Sequence, residues 1–352
     1  MTVPASPPSP ARQKSAPAAP QTISNTDWRA IVARYERPVI QRAIFQLANT
    51  LIPLALVFVV MEQLARQSPW LPLLLAPFAA GFLVRTFIIM HDCAHGSFLP
   101  SRKLNDALGF ITGVITLTPF GQWRRDHALH HASSGDLARR GHGDVITMTV
   151  REYAEATPRK RLQYRLVRHP LALLIVGPFH LMINQRRRPR SLATKDKQVK
   201  SVWLTNIGIA VAAIAVGWIV GLHALIYVYL PSYLIAASAG VWLFYVQHQF
   251  EDTYWEDHDN WSYAEAAIRG SSYLRLPKVL QWFTGSIGLH HVHHLSPRIP
   301  NYNLQRCHDE NPALHEVTVL SLWKGIAALR LKLWDEEQRR MVGYAEIGRK
   351  TA

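Results

Sequence analysis

The 352-residue sequence predicts an all-α membrane protein, with four transmembrane helices and a helical cap on the cytoplasmic side. Three observations carry that expectation. Apolar residues make up 49% of the chain, yet its formal net charge is +15. Those values pull apart in a soluble protein, and basic loops on one side of a membrane reconcile them. Four stretches each approach the ~20 residues that a helix needs to cross the hydrocarbon core. The 17 histidines, finally, are grouped rather than scattered.

From the N-terminus, residues 1–25 are rich in Pro, Ala and Ser. Such a segment buries too little apolar surface to offset its ordering entropy, and a disordered tail is expected. It has no apolar core, so it does not read as a secretory signal peptide. One folded domain is expected over residues 26–340, followed by a C-terminal tail at 341–352. The spans fall at 43–61, 70–90, 202–220 and 224–246. Pro53, Pro72, Pro77 and Pro231 would break soluble helices but are tolerated in membrane helices. The spans pair as two hairpins, with turns at 62–69 and 221–223. Stretches 107–120 and 171–184 are apolar but short, which suits interfacial or re-entrant segments.

Orientation follows from the basic residues. The first turn holds only Arg66 and the second holds none, whereas residues 91–201 are densely basic and include Arg186, Arg187 and Arg188. The positive-inside rule places that region and both termini in the cytoplasm, and the protein in the inner (cytoplasmic) membrane. The arginine cluster suits anionic lipid headgroups. Nucleic-acid binding would need a basic soluble domain, which the apolar runs argue against. Cys93 and Cys307 are too few for a disulfide framework or a cysteine zinc site.

Three histidine clusters and one single histidine fall on the cytoplasmic side of this map. His91 and His95 (HDCAH) follow the second span, and His127, His130 and His131 (HALHH) lie in the basic region. His248 follows the fourth span, and His290, His293 and His294 lie within HHVHH. Residues i, i+3 and i+4 share a helix face, so each cluster aims its imidazoles at one centre. A register using His291 in place of His290 is an alternative. Neutral imidazole binds Fe, Zn, Cu or Ni. A structural zinc site closes with four ligands, so nine histidines imply two metals with open positions. Asp92, Asp126, Glu251 and Asp252 are candidates to orient the rings by accepting their N–H groups. The isolated His142, His169, His180, His223, His258, His308 and His315 read as ordinary surface or core side chains.

At these residues the sequence resembles the membrane fatty acid desaturases. The match covers HDCAHGSF at 91–98, HALHH at 127–131 and HHVHHLSPRIPNYNL at 290–304. It extends to GDVITMTVREY at 143–153, FYVQHQFEDTYW at 244–255 and GSSYLRLPKVLQWFTGSIGLHH at 270–291. In these stretches the chain is similar to bacterial acyl-lipid desaturases. The resemblance implies a four-helix anchor and a cytoplasmic cap carrying two Fe ions. It also implies O2-dependent formation of a cis double bond in the acyl chain of a membrane lipid. Carried over position by position, the ligands are His91, His95, His127, His130, His131, His248, His290, His293 and His294. Ala94 departs from a position often held by glycine.

The residue chemistry points the same way. There is no acid–base pair suited to hydrolysis and no Gly-rich phosphate loop. A saturated chain needs a metal-bound oxidant, with the protein supplying binding and orientation. An apolar tunnel is expected, for which Gly109, Gly113, Trp123, Trp242 and Trp282 are candidate lining residues. With no haem-attachment or dinucleotide motif, electrons are expected from a separate carrier such as ferredoxin, docked on the basic face. Two alternatives stay open: hydroxylation or ketolation of a lipid, alkane or carotenoid, and a metal transporter. The second is disfavoured, because Arg85 is the one clear ionisable group within the spans.

Overall fold

A computed structural model describes residues 27–141, 145–189 and 196–346. The expected tail at 1–25, His142 and the end of the chain beyond residue 346 lie outside them. The described chain is mostly helical, with two small sheets.

Among the described residues, three helices are long and apolar enough to cross a membrane: Ile40–Ala65, Asp196–Val220 and Leu222–His248. At 1.5 Å per residue, 25 residues reach about 38 Å, more than the hydrocarbon core. Helix α1 (Ile40–Ala65) shows how such a helix sits. Ala43, Gln46, Thr50, Leu54 and Met61 form one buried stripe, while Ile44, Phe45, Ile52, Leu56, Val59 and Val60 face outward. An apolar outer surface of that kind suits lipid rather than water. Asp196–Val220 buries little besides Val202 and Thr205 and exposes Trp203, Ile207, Val211, Ile214 and Trp218. Gly221 (φ 98°) makes the turn into Leu222–His248.

The expected span at 70–90 differs. Leu71–Leu74 forms a 3-10 turn, and helix α2 (Ala76–His95) starts behind it with Pro77 in its first turn. Proline is favoured there because its missing N–H has no partner to lose. Helix α2 is central and packs against α1, α3 (Arg102–Ile115) and α6 (Leu230–His248). It is not among the three helices above, because Arg85 and the polar last turn through His91, Asp92 and His95 dilute its apolar character. Arg85 does not snorkel as a lone charge near a span end would. It is buried, its Nε donates to Thr50 Oγ1 at 3.1 Å, and it lies over the Trp282 ring at 4.0 Å. The pair Pro158–Val167 and Ala172–Ile183, bent by 60°, is a broken span or a re-entrant loop. Its second limb coincides with the apolar stretch 171–184.

Two sheets brace the side that carries the histidines. Strands β2 (Tyr273–Arg275) and β3 (Val319–Ser321) pair in parallel. Strand β4 (Leu333–Asp335) pairs in parallel with β1 (Met148–Thr149) and antiparallel with β5 (Arg340–Val342). Met341 and Val342 are buried, so the sheet runs into the stretch where a tail was expected.

Candidate metal centre

Four helices deliver the clustered histidines. His91 and His95 occupy the last turns of α2, which closes on Gly96 in the left-handed region (φ 71°). Glycine adopts that conformation without a Cβ clash, which is why it so often ends helices. Helix α4 (Phe120–Ser133) carries His127, His130 and His131, and His248 is the last residue of α6. The short helix α7 (His290–Leu295) carries the rest. Its approach depends on Gly288, where a Cβ would stand 2.4 Å from the Leu274 carbonyl of β2.

The side chains converge on two centres. His91, His95, His127, His131 and His293 form one group, and His130, His248, His290 and His294 the other. In each, one nitrogen per residue lies within 4.8 Å of all the others. The doublets explain the split. Consecutive helical residues point about 100° apart, so His130 and His131 feed different groups, as do His293 and His294. The groups touch where the His131 and His294 rings stack, 4.1 Å between centroids.

Within the first group, His127 Nε2 is 3.0 Å from His91 Nε2 and 3.1 Å from His131 Nε2, which is 3.0 Å from His293 Nε2. In the second, His248 Nε2 is 3.1 Å from His130 Nε2 and 3.0 Å from His290 Nε2. Two nitrogens at right angles around an ion about 2.1 Å away stand about 3.0 Å apart. Two contacts fix tautomers. His91 Nδ1 meets Asp92 Oδ1 at 3.0 Å, and His248 Nδ1 meets the Gly270 carbonyl at 3.1 Å. Each acceptor draws the proton to Nδ1 and leaves the Nε2 lone pair facing the cluster. The nitrogens His95 Nε2 and His294 Nε2 are buried with no partner. A buried polar atom of that kind is costly unless something satisfies it. An ion in each group would do so, and the residues present fit one.

Burial holds His127, His131, His290, His293 and His294 well below the usual histidine pKa, and neighbouring imidazoles push the same way. They are therefore neutral near pH 7, the form that ligates metal. Donor sets made only of imidazole suit Fe, Cu, Ni or Zn.

The surroundings sort the remaining candidates. His291 faces away from both groups, with its Nε2 3.3 Å from His308 Nδ1, and burial pushes it down to about 3. Among the acidic candidates, Asp92 meets His91. Its Oδ2 also accepts from the Asn301 backbone N–H at 2.6 Å and from Asn301 Nδ2 at 2.8 Å. Asp126 is half-buried, while Glu251 and Asp252 are exposed and Glu251 pairs with Arg340 at 3.1 Å. Sequence reasoning missed the Gly270 carbonyl and Asn301. Neither lies near its partner along the chain, so spacing held no signal for them. Trp123 stacks on His127 with 4.3 Å between centroids, and Phe244 stands 5.0 Å from the His130 ring. The other expected lining residues are used elsewhere: Gly109 and Gly113 allow close packing on Phe120 and Thr118, Trp242 packs beside Gly325, and Trp282 covers Arg85.

Comparison with known proteins adds a second line. A family model described as fatty acid desaturase matches residues 68–323. A fatty acid desaturase of Bacillus subtilis (strain 168) is 43% identical over 316 residues, covering 90% of each chain. An sn-1 oleoyl-lipid 12-desaturase of Synechocystis is 28% identical, covering 67% of this chain and 68% of its own. From the same organism, an sn-1 acyl-lipid omega-3 desaturase (ferredoxin) is 26% identical, covering 62% of this chain and 61% of its own.

Proposed function

The chain belongs to the fatty acid desaturase family, oxidoreductases acting on fatty acyl chains, and from that premise we propose that it inserts a cis double bond into the acyl chain of a membrane lipid. The convergence of nine imidazoles from four helices into two adjacent groups carries the reading. His91, His95, His127, His131 and His293 would hold one iron ion, and His130, His248, His290 and His294 the second. Reduced iron at these positions supplies the activation of O2 that attack on an unactivated methylene requires. Overall, two hydrogens leave adjacent carbons, and O2 takes them up with two further electrons and two protons to give two waters.

The chain's own residues contribute orientation and exclusion. Asp92 and the Gly270 carbonyl hold His91 and His248 with lone pairs inward. Trp123, backed by Phe87, and Phe244 put aromatic walls against the rings and keep bulk water from them. We place α2 and the three long helices in the inner membrane, with both termini and the histidines in the cytoplasm, a reading supported by the basic residues of 91–201. The electrons would come from a separate carrier such as ferredoxin, which the Synechocystis omega-3 desaturase carries in its name.

Expression in a host lacking unsaturated lipids, with iron and a carrier supplied, tests this. Mass spectrometry of the fatty acids should show a new mono-unsaturated species without added oxygen. An unchanged profile would defeat the proposal, and a hydroxylated or oxo product would assign the centre to oxygen insertion.

A further inference from the structure

Away from the histidines, two cations are buried with no acid beside them among the described residues. Arg168 is 1% exposed and Lys332 6%. The Arg168 guanidinium donates to the Ile146 carbonyl at 3.0 Å, Tyr245 Oη at 3.1 Å, Gln249 Oε1 at 2.8 Å and the Leu331 carbonyl at 3.2 Å. Lys332 Nζ donates to the Arg168 carbonyl at 2.5 Å. All of these acceptors are neutral. Burying one charge without a counter-ion is expensive, and burying two of the same sign side by side is more so. Burial and the charge of Arg168 push Lys332 down to about 8.

A cavity of about 490 Å³ opens beside them, lined by Arg165, Arg168, His169, Lys332 and Tyr344 among others, and none of its described lining residues is acidic. Two donors there are buried without a partner, Arg168 Nε and the Tyr344 hydroxyl. Three cations and a phenol around one hollow are the chemistry of a phosphate site. Its place in the fold narrows the ligand. His169 and Pro170 lie at the 60° bend between Pro158–Val167 and Ala172–Ile183. Beyond the bend Leu171, Ile175, Val176, Phe179 and Ile183 are exposed, an apolar surface that suits acyl chains. A cationic hollow where a lipid-facing limb begins lies at headgroup depth.

We propose that this cavity binds the phosphate of a membrane phospholipid, the acyl carrier whose chain is desaturated. The assignment rests on the function proposed above. Gln249, which accepts from Arg168, directly follows His248, so the headgroup site and the second histidine group share one piece of backbone.

Native mass spectrometry of the full-length protein in detergent tests binding with dioleoyl phosphatidylglycerol, with dioleoylglycerol as the same chains without phosphate, and with inorganic phosphate as competitor. Phosphatidylglycerol should bind at least about tenfold tighter than dioleoylglycerol, and Lys332→Gln or Arg165→Gln should each weaken it about tenfold, the order of one lost charge-assisted hydrogen bond. Arg165 is exposed, so its variant keeps the fold if Lys332→Gln does not, and Arg159→Gln on the same helix should change nothing. Equal binding of the two lipids, or unaffected variants, overturns the proposal. Tighter binding of inorganic phosphate than of phosphatidylglycerol assigns the cavity to the free anion and overturns it too. On phosphatidylglycerol vesicles, Arg165→Gln should raise KM and leave kcat in place. An unchanged KM beside lost binding would make the lipid structural rather than the carrier. The binding arm reads no turnover, so its failure leaves the metal-centre reading standing, and failure of that reading leaves the binding result standing.

Discussion

Two histidines that present the same donor atom, His91 in the first group and His248 in the second, are oriented by different means. In the first, a carboxylate, Asp92, fixes His91 and is itself fixed by Asn301 at the start of the helix Asn301–Asp309. In the second, a backbone carbonyl, Gly270, fixes His248. A carboxylate strengthens the basicity of the ring it holds and can be removed by one substitution. A carbonyl is neutral and changes only when its loop moves. His91 is thus held by side-chain chemistry and His248 by backbone geometry.

The largest effect should come from removing a ligand on either side of that divide. His131→Ala empties the first group and His294→Ala the second. Each should lower iron from about two to about one per chain, measured by plasma mass spectrometry, and abolish product formation. Retention of full iron in either variant would break the division into two groups. Next is the difference in orienting groups. Asp92→Asn should cost about 10–100-fold in metal affinity or activity without unfolding the protein. At Gly270 a Cβ would stand 2.4 Å from the Ala266 carbonyl, so Gly270→Ala must displace the loop and should weaken the second group while sparing the first. Iron titrations of the two variants, compared ion by ion, check this.

A third test separates neighbours on α7. His290→Ala should cost metal, whereas His291→Ala should leave the iron content unchanged and lower Tm, because His291 packs against His308 instead. A smaller effect comes from pH. The buried imidazoles of both groups have folded pKa values below the ordinary histidine value. Their contribution to stability is present above about pH 6.5 and is lost as pH falls below it, because the unfolded chain then takes up protons that the folded chain refuses. Melting of the metal-free protein in detergent should show Tm falling from pH 7 to pH 5. The smallest change is Trp123→Leu, which removes the stack on His127 at a cost of about 0.5–1.5 kcal/mol beyond lost area, read as a modest drop in Tm.

Much of this organisation was legible because helical spacing is a local property. HxxxH and HxxHH state which imidazoles share a face, and three of the apolar runs stand out as helices 25 to 27 residues long. What spacing cannot state is how faces from distant segments meet. The Asn301–Asp92 contact joins residues 209 apart, and the split of each doublet between two groups depends on the placement of α4 against α7. Apolarity likewise cannot distinguish a helix wrapped in lipid from one wrapped in protein. The stretch 70–90 reads like the other spans, yet α2 is the most enclosed of the long helices and buries Arg85. The sheet β1–β4–β5 was illegible for another reason: its strands are two or three residues long, too short for alternation to register.

Iron per chain in the anaerobically purified full-length protein, read with its Mössbauer spectrum, tests the central claim most directly. Two irons in two distinguishable nitrogen-rich environments are expected, with the first signal lost in His131→Ala and the second in His294→Ala. A single ion bound by histidines from both groups, or zinc retained in place of iron in an active preparation, would contradict the account.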